Sequence, residues 1–130
     1  MKIVVSALGE TADSPVDERF GRARYFVCYD MESGTYEVYG NHGADVNMQG
    51  AGRQAARLVE QLGADVVLTG HCGPQAFDAL QKARIPVHQK AAGTVRDAVA
   101  AFLDGALPAF KRPDVKTGFG RNQCQKTRKT

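Results

Sequence analysis

Asp65-Val66-Val67-Leu68 followed by Thr69-Gly70-His71-Cys72-Gly73-Pro74 limits the fold more than any other stretch. The apolar run is too short for a helix and rich in β-branched residues, so it reads as a buried strand. Pro74 suits a first helical position, where its missing N–H would be unpaired anyway. Thr69 to Pro74 is therefore a strand-to-helix turn. Such a turn aims backbone donors and the positive end of a helix over a sheet edge, an arrangement that favours an anion. A chain built around this unit is α/β.

The flanking segments extend the pattern. Lys2 to Ser6 is a first buried strand, and Ala7 to Arg24 is a long segment without helical or strand period, of the kind that is functional or disordered. Tyr25 to Tyr29 and Tyr36 to Tyr39 form a hairpin turning near Gly34. After an irregular segment from Gly40 to Gly50, a helix runs from about Gly52 to Leu62, with Ala55, Leu58, Val59 and Leu62 on one face and Gly63 at its end. A helix from Gln75 to about Ala83 buries Ala76, Phe77 and Leu80, and Ile85-Pro86-Val87-His88 is a short last strand that its proline places at an edge. Thr94 to Asp97 has capping-box form and opens a helix with Val95, Ala98, Val99, Phe102 and Leu103 on one face.

The expected order is β-β-β-α-β-α-β-α, a mixed five-stranded sheet with an N-terminal hairpin. In the simplest sheet, strand 1 lies beside the 66–68 strand, the hairpin falls to one side and the last strand to the other. Ligands of open α/β sheets bind beyond the carboxyl ends of the strands where the connections diverge. The loops there are Ala7 to Arg24 and Thr69 to Pro74, with Gly50-Ala51-Gly52 as a third wall.

Charge separates the chain into two parts. Residues 1–110 carry 10 Lys/Arg against 13 Asp/Glu, whereas residues 111–130 carry 7 against 1. The expected division is an α/β domain over 1–110 and a basic, disordered tail over 111–130. No hydrophobic run approaches the roughly 20 residues of a membrane span, and Met1-Lys2 leads straight into a strand without a signal-peptide pattern. Cys28, Cys72 and Cys124 are odd in number and widely spaced, which fits reduced thiols. These features point to the cytoplasm.

Several motifs carry chemistry, each with a plainer alternative. Gly50-Ala51-Gly52-Arg53 either cradles an anion with its backbone N–H groups, Arg53 nearby, or lets helices pack closely. A dinucleotide site is disfavoured because the glycines do not follow the first strand. Arg19-Phe20-Gly21-Arg22 is either a solvated loop or a pair of cations around a phenyl wall that excludes water. His71-Cys72 lacks the spacing of a closed zinc site, but a thiolate beside an imidazole suits copper or a metal-sulfur unit. Cys72, just before a helix, is expected to have a depressed pKa and to be a reactive thiolate; the alternative is a buried small thiol. Cys28 alternates with Val27 and Tyr29 and is expected in the core.

Arg19-Phe20-Gly21-Arg22-Ala23, Gly50 to Ala56, Asp65 to Gly70 with Gly73-Pro74, and Gly93-Thr94-Val95 together resemble the dinitrogenase iron-molybdenum cofactor biosynthesis family. Its members include cofactor carriers of nitrogenase assembly and the orange protein, which holds a molybdenum-copper-sulfide cluster. The resemblance covers residues 1–110 and implies a ribonuclease H-like three-layer fold that binds a preassembled cluster without catalysis. It makes Arg19, Phe20, Gly21, Arg22, Gly50, Ala51, Gly52, Arg53, Gly70 and Gly73 candidates for holding a molybdenum-copper-sulfide or iron-molybdenum-sulfur cluster, with His71 and Cys72 as candidate metal ligands. An assembly or delivery protein is the implied partner.

Two other readings stand beside this one. A thiol-dependent reductase or transferase would use Cys72 with His71 as its base. An interaction module would dock an acidic partner through the tail. A two-metal nuclease is excluded by the lack of carboxylates on the first strand and at the end of the 66–68 strand. The tail alone gives only nonspecific nucleic-acid binding at low salt.

Overall fold

In the computed structural model, residues 1–41, 51–105, 107 and 109–110 are described. The elements are β1 (Lys2–Ala7), β2 (Tyr25–Asp30), β3 (Thr35–Gly40), α1 (Ala51–Gln61), β4 (Val66–Leu68), α2 (Pro74–Lys82), β5 (Val87–His88), α3 (Val95–Leu103) and β6 (Ala109–Phe110). The sheet order is β3-β2-β1-β4-β5-β6. β1 pairs in parallel with β4, and β4 with β5, while β1–β2, β2–β3 and β5–β6 are antiparallel.

Alternation along the strands builds the two cores. On one face Val4, Phe26, Cys28, Val67 and Val87 pack with α1 and α2 through Ala55, Val59, Ala76, Phe77 and Leu80. On the other, Ile3, Val5, Val27, Val66 and Leu68 pack with α3 through Val95, Ala98 and Val99. The result is three layers. β1 leads away to the hairpin and β4 leads the opposite way to β5, so the divergence expected between them is present.

The five strands and three helices read from the sequence are all found, and Cys28 is in the core as expected. Two details differ. A sixth strand of two residues, too short to leave a periodic signal, adds to the sheet beyond β5. β5 is consequently interior, not an edge: Pro86 lies just before it, and its carbonyl accepts the Val67 N–H at 3.0 Å. The missing proline N–H thus falls outside Val87–His88, which pair on both sides. The 111–130 tail lies outside the described residues.

Candidate functional site at the carboxyl edge of the sheet

The long 8–24 segment is ordered by backbone bonds to both halves of the molecule. Val16 N–H donates to the Gly93 carbonyl and Val95 N–H to the Ser14 carbonyl, both at 2.9 Å, on the α3 side. The chain then crosses the sheet edge at Asp17-Glu18-Arg19 and reaches the α1/α2 side, where Phe20 and Ala23 enter the core.

The crossing is fastened to β1 and β4. The Ser6 hydroxyl lies 2.8 Å from both the Asp17 carbonyl and the Thr69 hydroxyl. His71 N–H donates to the Glu18 carbonyl at 2.8 Å, and Phe20 N–H to the His71 carbonyl at 3.2 Å. Asp17, itself buried, accepts the Arg19 N–H at 3.0 Å. The point where the strand connections diverge is therefore covered by residues 17–20.

Glycines set how closely that surface is assembled. A Cβ on Gly70 would stand 2.5 Å from Glu18 Cα and 2.8 Å from its carbonyl oxygen. A Cβ on Gly21 would stand 2.8 Å from Gly52 Cα, and one on Gly52 would meet the Ala76 Cβ at 3.1 Å. Only glycine permits the first two approaches, while at Gly52 the Ala76 side chain would have to give by a few tenths of an ångström. The Arg19–Arg22 segment, the start of α1 and the Thr69–Pro74 turn are thus brought together as expected. For Gly52 the close-packing role is visible directly; Gly50 lies outside the described residues.

The same rim is electrostatically receptive to an anion. α2 begins at Gly73 without a side-chain cap, and neither α1 nor α2 has an acidic residue in its first turn. Arg19, Arg22 and Arg53 are exposed, and among the described residues none of them forms an ion pair. Unneutralised helix ends beside free guanidinium groups favour negative charge.

Three expectations require correction. Phe20 is not a wall facing the site: it is 1% exposed, its ring 5.3 Å from that of Phe26, and it anchors the loop in the core. Cys72 is not a thiolate of depressed pKa. It is fully buried, and loss of solvation pushes its pKa up to about 12, outweighing the helix end that motivated the opposite expectation. His71 and Cys72 are not brought together as a ligand pair either, since His71 is exposed while Cys72 points into the core. Among the described residues no three His, Cys, Asp or Glu side chains are grouped to hold a metal ion.

The sequence reading missed Ser6, Asp17 and Gln89. Gln89 is 1% exposed; its Oε1 accepts the Cys72 N–H at 2.6 Å, and its Nε2 has no partner among the described residues. An unpaired buried amide end costs about 1–3 kcal/mol. Only the position of Asp17 two residues before Arg19, a local side-chain-to-backbone spacing, carried a sequence signal.

A concavity of about 670 Å³ lies on the α3 side, lined by Leu8, Asp17, Arg19 and Thr94 among others. Its helix end is already occupied. Thr94 accepts the Asp97 N–H while Asp97 accepts the Thr94 N–H, both at 3.0 Å, and the Thr94 N–H, aided by the Thr94 side chain, holds the Asp97 carboxyl below its usual pKa.

Fold and rim together define a three-layer α/β protein whose sheet ends, at its carboxyl edge, in a rim with an uncapped helix start and exposed arginines. The chain belongs to the dinitrogenase iron-molybdenum cofactor family, whose model matches residues 1–105. The apo form of the orange protein from Desulfovibrio gigas is 43% identical, with a TM-score of 0.84 over 88% of this chain and 96% of that one. The Thermotoga protein TM1290, of the DUF35 family, is 32% identical with a TM-score of 0.73, covering 83% of this chain and 91% of its own. MJ0580 of Methanocaldococcus jannaschii is 25% identical over 95 residues, 71% of this chain and 80% of that protein. No helix among the described residues is long and apolar enough to cross a membrane.

Proposed function

We propose that the chain is a non-catalytic carrier or scaffold for an anionic metal-sulfide cluster, molybdenum-copper-sulfur or iron-molybdenum-sulfur in type. The cluster is the cargo. Arg19, Arg22 and Arg53 donate to its terminal sulfides, and the backbone N–H groups at Ala51 and Gly52 and at Gln75, beyond Pro74, face its charge. Gly21 and Gly70 let these segments approach. The observation that carries this reading is the rim itself: three segments pinned by glycine contacts, bearing guanidinium groups that form no ion pair among the described residues, beside an uncapped helix start. The likeness to the orange protein supports it.

Cys72 has no ligating role in this account, because a fully buried thiol with a raised pKa does not offer the thiolate that soft metals require. The same observation removes support from a thiol-dependent reductase or transferase. His71, exposed at the rim, remains available as a single imidazole contact. Residues 1–110 form the cluster-binding domain and 111–130 a separate basic segment, with a delivery protein as partner and a cytoplasmic setting that keeps Cys28 and Cys72 reduced.

The test is an anaerobic titration with tetrathiomolybdate and copper(I), following charge-transfer bands and the metal-to-protein ratio kept after desalting. Saturable uptake with retained colour, unaffected by deleting residues 111–130, is the expected result. Loss of all colour on desalting, with iron-molybdenum species also failing, would sink the carrier reading.

A further inference from the structure

Gln89 treats the two ends of its amide differently. Oε1 is 2.6 Å from the Cys72 nitrogen, so the carbonyl end must face the turn, and Nε2 is left buried without a partner among the described residues. Around this bond the backbone is zipped. Thr69 N–H donates to the His88 carbonyl at 3.1 Å, Lys90 N–H to that of Gly70 at 2.7 Å, and Ala91 N–H to that of Thr69 at 3.0 Å. Lys90 takes a φ of 68° in doing so, an uncommon conformation for a residue with a side chain.

Residues 88–91 therefore hold the 69–72 turn along its length, and Gln89 supplies the contact nearest α2. Cys72 is the last residue before the cap position, and Gly73 there has no side chain with which to orient the helix start. Beyond the backbone bonds, the side-chain restraint nearest α2 comes from Gln89. An apolar residue of similar size would avoid an unpaired buried amide end, and departures of this kind gather where a structure serves a site.

We propose that Gln89 is a positioning residue for the anion site. By drawing the Cys72 N–H inward it fixes the turn, and so leaves the free N–H groups at the start of α2 presented at the rim. This inference rests on the carrier reading for its ligand. Gln89 acts through the backbone and does not touch the cluster.

The test compares wild type, Gln89→Met and Gln89→Glu in the full chain, with tetrathiomolybdate as the probe and three readouts: affinity, thermal midpoint, and amide hydrogen exchange at Cys72 and the first residues of α2. Gln89→Met removes both amide ends. It is expected to bind roughly tenfold more weakly, about 1.4 kcal/mol, with faster exchange at Cys72 and a midpoint within about 5 °C of wild type. Gln89→Glu keeps an acceptor for the Cys72 N–H and should restore slow exchange there. Affinity for Gln89→Met within twofold of wild type, or lost only in proportion to its unfolded fraction, would overturn the assignment. If wild type itself takes up no tetrathiomolybdate, the carrier reading fails. Gln89's hold on the turn is then decided by exchange alone, and unchanged protection at Cys72 in Gln89→Met defeats that as well.

Discussion

The two sides of the sheet's carboxyl edge use the same parts to opposite effect. Each has a loop from the 8–24 segment, a strand end and a helix start. On the α3 side the helix start is closed by its own capping box, and the bordering concavity contains Asp17 and Glu18. On the α1/α2 side the start of α2 has no side-chain cap, no acidic residue occupies either first turn, and Arg22 and Arg53 are free of ion pairs among the described residues, while Arg19 at the crossing also borders the α3-side concavity. A hollow alone does not mark an anion site. In the proposed function, what marks it is which helix dipole the chain has left unneutralised.

Substitutions that separate the two sides should rank as follows. Gly70→Ala is expected to have the largest effect, because its Cβ would collide with the Glu18 backbone, which cannot swing aside as a side chain can. A loss of about 3 kcal/mol, the upper range of overpacking, should appear in denaturant unfolding together with lost cluster uptake. Gly73→Ala, where nothing lies within 4 Å, is the control: it meets no clash and should cost only about 0.5–1 kcal/mol, from the poorer helix cap.

Replacing Arg19, Arg22 and Arg53 together with Gln should weaken tetrathiomolybdate binding roughly tenfold or more, flatten its salt dependence and leave the thermal midpoint in place. An unaltered salt slope would mean that the charge lies elsewhere. Thr94→Ala, on the α3 side, should cost about 1 kcal/mol in stability through the lost cap and leave uptake untouched. Reduced uptake in that variant would erase the distinction between the sides.

Cys72 gives a pH test. Its folded pKa, about 12, lies above the ordinary thiol value, so above pH 9 the unfolded chain releases a proton that the folded chain keeps. The thiol's contribution is thus complete below about pH 9 and is lost as pH rises toward about 12. Stability should fall over that window, less steeply in Cys72→Ala, and native alkylation at pH 8 should be slow until the chain is unfolded. Fast native labelling would restore the reactive-thiol reading.

Much of this was legible in the residues, for identifiable reasons. Val66-Val67-Leu68 before a glycine turn and Pro74 declared the strand-to-helix unit, and the i, i+3, i+4 spacing of Ala55, Leu58 and Val59 declared α1. The glycines at 21, 52 and 70 were visible as motifs, but the contacts that require them join residues far apart in sequence. Phe20 and Cys72 were misjudged because local context places a ring or a thiol on a loop without saying which way it turns. For Cys72, burial outweighed the nearby helix end. Gln89 was invisible: its partner is 17 residues away and it belongs to no periodic pattern.

The central claim is that the anion binds on the α1/α2 side of the rim. Amide chemical-shift mapping during anaerobic addition of tetrathiomolybdate tests it most directly. The account predicts the largest changes at Arg19–Arg22, Ala51–Arg53 and Gly70–Gln75, with Ala92–Thr94 nearly still. Changes concentrated at Leu8 and Ala92–Thr94 would contradict it and move the site to the α3 side.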